Sequence, residues 1–181
     1  MIQLPFDAGI ATADAMHELG VQLGTDLRAG DLLVLTGPLG AGKTTLTRGI
    51  GEGLGVRGPV TSPTFVLART HPSLIGGPPL VHVDAYRLSH AVELDDLDID
   101  FAGSVVIVEW GRGMLDGIAT SWLDIEIERP TGAGSAHAAN GISTDAVDDV
   151  PKDVDGDVED VEETDEPRRV RISRRESSAT A

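Results

Sequence analysis

Residues Gly37–Thr45 read GPLGAGKTT, which fills the pattern G-x-x-x-x-G-K-[ST] completely. The chemistry that needs these residue types at this spacing is polyphosphate binding. Glycines at 37, 40 and 42 let backbone N–H groups turn inward and let phosphate oxygens approach closely. The start of a following helix adds a favourable field for anions. Lys43 supplies a compact positive charge to the β- and γ-phosphates, and the Thr44 hydroxyl is placed to ligate Mg2+. Gly37, Leu39, Gly40, Ala41, Gly42, Lys43, Thr44 and Thr45 are therefore the candidate nucleotide-binding residues. The plain alternative is a glycine turn carrying a surface lysine. With glycine at ~7% of residues, a chance match in a chain this size is on the order of one in a hundred. The apolar run before the loop and the helical segment after it lower that further. The loop alone leaves ATP against GTP, and kinase against hydrolase, open.

Such a loop needs a second acid near the metal, usually at the end of an adjacent buried strand. Glu109 closes SVVIVE and Asp84 closes LVHVD. A solvated strand end poorly explains an acid after four apolar β-branched residues, which favours a functional Glu109. For Asp84 the pattern leaves both readings open. The hydroxyls of Thr61-Ser62-Pro63-Thr64 either sense the γ-phosphate, as switch segments do, or cap a loop-to-strand junction. His82 reads as a packed strand histidine. Tyr86-Arg87 reads as a partner surface or, more simply, as a salt bridge to the acidic segment 93–100. Trp110 is either core or, beside the metal acid, a nucleotide contact. No Ser/His/Asp triad and no His/Cys metal cluster stands out in the sequence.

The elements that must hold these residues follow from periodicity. The sequence predicts an edge strand at Ile2–Pro5, then a helix capped by Thr12 and running to about Arg28, with Ala15, Leu19, Leu23 and Leu27 on one face. Asp31–Thr36 is an apolar run suited to a strand buried on both faces. The phosphate loop then leads into a helix from Gly42 to about Leu54, stopped by Gly55 and Gly58-Pro59. Further strands are expected at Phe65–Thr70, Leu80–Asp84, Ser104–Glu109 and Trp122–Glu128, and a short helix at Ser89–Leu97 capped by Ser89. The alternation of Arg168–Ser173 predicts a last strand, antiparallel to residues 123–128 across a long insert, whose length costs little in loop closure. The alternative is that everything after Pro130 is tail.

The 181 residues suit one domain with an extension, and the net charge of −16 is unevenly spread. Residues 1–130, the expected P-loop domain, hold 17 acidic and 8 basic side chains. Residues 131–166 hold 12 acidic residues against Lys152 alone and have no aromatic residue, so a disordered acidic insert is expected there. Residues 167–181, a possible final strand plus basic tail, carry five arginines against one glutamate. An acidic surface repels phosphate backbones, so tight direct nucleic-acid binding by this chain alone is not expected. The chain has no cysteine, which excludes disulfides and thiolate metal sites and points to a reducing compartment. No signal peptide and no apolar run of membrane-spanning length is read, and a soluble, cytoplasmic protein is expected.

The motifs GPLGAGKTTLTRG, TSPTF, HVDAYRL and VVIVEWG occur in this order and spacing, and together they resemble the bacterial tRNA threonylcarbamoyladenosine biosynthesis ATPase family of the TsaE/YjeE type over about residues 12–129. The resemblance implies an α/β, three-layer P-loop NTPase fold with a mixed, mostly parallel sheet, and Mg-dependent ATP hydrolysis in support of N6-threonylcarbamoyladenosine formation at position 37 of tRNAs reading codons that begin with A. It implies as partners the threonylcarbamoyltransferase and its paralogue, a heterodimer that carries out the transfer and is reset by ATP turnover. Carried over by residue, Lys43 and the loop hold the phosphates, Thr44 and Glu109 hold the metal, Asp84 is the acid needed for hydrolysis, Thr64 lies in the switch-like segment and Trp110 is near the nucleotide. The sequence departs from the family at Pro38, where an aspartate is usual, at Met16, where many members have a threonine near the adenine, and in the insert 131–166. Two other functions fit the loop: a small-molecule P-loop kinase, which needs a clustered arginine lid that Arg48, Arg57, Arg69, Arg87 and Arg112 do not form in sequence, and a nucleotide-gated binding module without turnover.

Overall fold

The computed structural model describes residues 2–63, 66–115, 117–129 and 166–177. Its elements are β1 (Phe6–Ile10), α1 (Ala13–Asp26), β2 (Leu32–Thr36), α2 (Lys43–Gly53), β3 (Ala68–His71), β4 (Leu80–Asp84), a 3-10 turn (Ala85–Arg87), α3 (Ala91–Asp95), β5 (Val105–Glu109), β6 (Ser121–Glu128) and β7 (Arg168–Glu176). The seven strands form one sheet in the order β1-β7-β6-β2-β5-β4-β3. The four central strands run parallel, with β2 between β5 and β6 and β4 beside β5. The strands outside them, β3, β7 and β1, are antiparallel to their neighbours. The sheet is the mixed, mostly parallel one that the family resemblance implies.

Burial follows from composition. Leu32, Leu33, Val34 and Leu35 of β2 are all 5% exposed or less, so this strand is covered on both faces. Leu33, Leu35, Val105, Ile107, Leu80, Ile125 and Ile127 pack in one core with the residues of α1 and α2. Leu32, Val34, Val106, Val108, Val81 and Val83 pack in a second core with Leu94 and Leu115. Three layers result.

The helices α1 and α2 meet through glycine. A Cβ on Gly49 would lie 2.1 Å from the His17 carbonyl oxygen, and one on Gly20 2.4 Å from that of Leu46. Gly24 and Gly53 repeat the arrangement, at 2.3 Å from the carbonyl oxygens of Ile50 and Val21. Backbone thus rests on backbone, which fixes the height of α2, and with it the phosphate loop, over the sheet.

Several local expectations shift. Thr12 caps α1 as expected, accepting from the Ala15 amide at 3.0 Å. The first strand lies at Phe6–Ile10 rather than Ile2–Pro5, because Asp7 pairs with Arg169 while Phe6, Ala8 and Ile10 point inward in alternation. Strand β3 begins at Ala68, and α3 is shorter than expected and is entered through His90, not Ser89, whose amide instead donates to the Glu93 carboxylate at 3.5 Å. No ion pair joins Arg87 to residues 93–100 among the described residues.

Strand β7 pairs antiparallel with β6 in the register Ile125↔Ile172 and Glu126↔Arg171. Ile172 and Val170 are fully buried beneath it. On the opposite face its arginines meet acids: Arg171 reaches Glu126 and Glu128, Arg175 reaches Asp124 and Arg169 reaches Asp7. These arginines are neutralised within the sheet and form no free cationic patch. The expectation of disorder for 131–166 concerns residues outside the described ones, apart from Glu166. No helix among the described residues is long and apolar enough to cross a membrane.

Candidate nucleotide-binding site

The loop Gly37–Gly42 joins the C-terminal end of β2 to the N-terminus of α2. Gly40 and Gly42 adopt φ of 73° and 102°, a left-handed backbone that side chains resist. Gly37 is held by a close approach, since a Cβ there would lie 2.5 Å from the Ile127 carbonyl oxygen. Gly42 caps α2 without any side-chain hydrogen bond, so the first amides of the helix are free for an anion. Leu39 stands at the tip, 90% exposed, and Ala41 is fully buried.

Lys43, 6% exposed, donates from Nζ to the carbonyl oxygens of Gly37 (3.0 Å) and Pro38 (3.1 Å). The same ammonium lies 4.1 Å from the centroid of the Trp110 ring. Burial holds the Lys43 pKa below its usual range, while Glu109 and Asp84 nearby act to raise it. Trp110 follows Glu109 in a left-handed conformation, φ 63°, which costs a non-glycine residue about 1–2 kcal/mol. Its ring meets Tyr86 edge-on at 5.6 Å.

The two strand-end acids stand side by side, because β4 and β5 are parallel in the register Asp84↔Glu109. Both are buried, at 7% and 4% exposure. Asp84 Oδ1 accepts from the Tyr86 amide at 3.0 Å. Glu109 Oε1 accepts from His82 Nε2 at 2.8 Å. Neither acid's second oxygen has a hydrogen-bond partner among the described residues. The Thr47 hydroxyl is used up on the Lys43 carbonyl at 2.9 Å, whereas the hydroxyls of Thr44 and Thr45 are not engaged by any described residue. Lys43 and Thr44, Asp84, and Glu109 and Trp110, from three separate stretches of the sequence, are thus brought to one end of the sheet. Thr64 lies outside the described residues, and the neighbouring Thr61 hydroxyl accepts from Arg69 at 2.7 Å.

A cleft of about 380 Å³ opens beside the loop, lined by Thr36, Gly37, Pro38, Trp110 and residues 126–129. A larger hollow of about 730 Å³ under Ile2–Asp7 contains none of the loop residues or strand-end acids, so chemistry rather than size marks the site. Met16 of α1, which the family resemblance set near the adenine, lies 3.6 Å from where a Gly42 Cβ would sit. Two contacts escape a reading of the sequence. Arg129 comes within 3.9 Å of where a Gly40 Cβ would sit, and it is itself paired with Glu166 at 2.6 Å. The bond of His82 to Glu109 is the second. The alternation of Leu80–Asp84, which puts His82 and Asp84 on one face, is the signal that could have found it.

Described residues contain no group of three or more His, Cys, Asp and Glu able to hold a metal ion by themselves. A magnesium ion carried in on a nucleotide needs none, since it takes one or two protein oxygens, phosphate oxygens and water. The Thr44 hydroxyl and the second oxygen of Glu109, neither engaged by a described residue, fit that demand.

Residues 10–136 match the family model described as threonylcarbamoyl adenosine biosynthesis protein TsaE. The tRNA threonylcarbamoyladenosine biosynthesis protein TsaE of Streptomyces coelicolor is 62% identical over 120 residues, covering 65% of this chain and 81% of that protein. The Mycobacterium tuberculosis protein of the same name is 52% identical over 133 residues, covering 67% and 79%, and the Bacillus subtilis one 42% over 103 residues, covering 56% and 64%. Among solved structures, Bacillus subtilis YdiB superposes with a TM-score of 0.59 at 24% identity, covering 96% of this chain and 88% of that one, a likeness of fold.

Proposed function

The chain belongs to the TsaE family of threonylcarbamoyl adenosine biosynthesis proteins, and from that membership we propose that it binds Mg-ATP at Gly37–Thr45 and hydrolyses it. The hydrolysis supports threonylcarbamoyladenosine formation at position 37 of tRNAs reading codons that begin with A. The observation that carries this reading is the convergence of Lys43, Asp84 and Glu109, three buried ionisable groups, at an uncapped helix N-terminus. Free amides of the loop and Lys43 hold the β- and γ-phosphates; to do so, Lys43 leaves the carbonyl oxygens of Gly37 and Pro38. The Thr44 hydroxyl and Glu109 would hold magnesium, which when bound neutralises phosphate charge. Asp84, fixed through Oδ1 by the Tyr86 amide, orients the attacking water with its other oxygen. Trp110 walls the site, and Thr64 belongs to the segment that responds to the γ-phosphate.

We assign the transfer chemistry to a partner, a threonylcarbamoyltransferase paired with its paralogue, whose complex ATP turnover resets. Arg129, the arginine beside the loop, is tied to Glu166, so turnover by the isolated chain is expected to be weak. The test is twofold. Calorimetry with magnesium must show ATP uptake, and Asp84→Ala and Glu109→Ala must lose turnover while keeping nucleotide binding. A threonylcarbamoylation assay with the transferase pair must depend on the chain; full activity without it refutes the assignment.

A further inference from the structure

We propose that His82 is a positioning residue: its ring holds the Glu109 carboxylate by one oxygen, in the orientation that leaves the other for the metal. The inference rests on the role given to Glu109 above. On β4 the side chains of Leu80, His82 and Asp84 alternate with Val81 and Val83, which belong to the opposite core. The parallel register sets His82 beside Ile107 and Asp84 beside Glu109, so the imidazole sits one step below the pair of acids. His82 is wholly buried and its Nε2 lies 2.8 Å from Glu109 Oε1.

An ionised carboxylate only accepts, so the proton of this bond sits on Nε2, and the bond is charge-assisted and directional. Buried away from water, it fixes the torsion of a side chain that would otherwise be free to rotate about its long stem. The ring does nothing else polar: Nδ1 is buried with no partner among the described residues. A leucine would fill this place without leaving a nitrogen unpaired. The single bond to Glu109 is therefore what the histidine contributes, and outer partners of this kind typically change metal affinity or activity by 10–100-fold when removed.

The experiment compares full-length wild type, His82→Leu, which fills the space without a donor, and His82→Gln, whose amide nitrogen can take the place of Nε2. ATP hydrolysis with the transferase pair and ADP affinity by calorimetry are each measured against magnesium concentration, and ADP affinity also without magnesium. His82→Leu is expected to raise the half-saturating magnesium by about 10–100-fold, with magnesium-free ADP affinity unchanged. His82→Gln is expected to recover most of the loss. In Glu109→Ala, which lacks turnover, adding His82→Leu is expected to cost nothing more in the magnesium dependence of ADP affinity. Equal defects in the Leu and Gln variants, an unchanged magnesium response, or a further loss in the double variant would each overturn the proposal. If thermal melting shows that His82→Leu does not fold, His82→Asn, too short to reach, takes its place. A Glu109→Ala protein with normal magnesium response removes the role of Glu109 itself; a defective one beside a normal His82→Leu removes only the present inference.

Discussion

Replacing Gly49 by alanine should destabilise the protein although alanine is the better helix former. The added Cβ would stand 2.1 Å from the His17 carbonyl oxygen and 3.0 Å from Gly20 Cα, both backbone atoms that no rotamer change can move. Reaching an ordinary contact of about 3.5 Å requires α1 and α2 to part by about 1.4 Å at this point. Overpacking of this kind costs about 1–3 kcal/mol, and backbone partners place it at the upper end. The same parting opens gaps around Leu46, Ile50, Leu19 and Leu23, where a radial gap of about 0.5–1 Å forfeits a quarter to a half of each dispersion contact. Against this, alanine in a helix interior is favoured over glycine by about 1 kcal/mol. The net loss is about 2–3 kcal/mol, or a fall in Tm of roughly 4–12 °C for a domain this size. Thermal and urea unfolding followed by circular dichroism measure it. Gly9→Ala is the control, because nothing lies within 4 Å of a Cβ there, and it should be neutral or stabilising by up to about 1 kcal/mol. A Gly49→Ala protein as stable as wild type would refute the claim that backbone contact sets the α1–α2 spacing.

Three other outcomes are expected. Nucleotide should draw Lys43 away from the Trp110 ring, so in a Trp122→Phe background the Trp110 emission should change on ADP addition; no change at a concentration that calorimetry shows to be saturating would contradict the cation–π geometry. Burial lowers the His71 pKa below its usual 6.5, so the unfolded chain takes up a proton that the folded chain refuses. Its contribution to stability is thus complete above about pH 6.5 and lost as pH falls below that value, and urea midpoints should drop between about pH 7.5 and 5.5 less in His71→Asn than in wild type. On β7, Ile172→Ala should cost about 2–5 kcal/mol, whereas Arg171→Ala, in an exposed ion network, should cost about 1 kcal/mol or less by urea unfolding; the reverse order would mean that charge rather than burial anchors the strand.

The phosphate loop and its flanking strand and helix are legible in the sequence because their determinants are local. Glycines at fixed offsets answer steric needs within a few residues, and the four leucine and valine residues Leu32–Leu35 announce a strand covered on both faces. The alternation of Arg168–Ser173 and of Trp122–Glu128 likewise marks two half-covered strands, and the structure pairs them. What the sequence leaves open is whatever depends on neighbours distant in the chain. Asp84 reads equally as a solvent-facing strand end until the parallel register of β4 and β5 sets it beside Glu109. His82 reads as core until its ring is found 2.8 Å from that same acid. Gly20 and Gly49 look like weak points of two helices until the packing shows each against the other's backbone. Local sterics and alternation are written in adjacent residues, whereas register and helix approach arise only when the whole sheet closes its two cores.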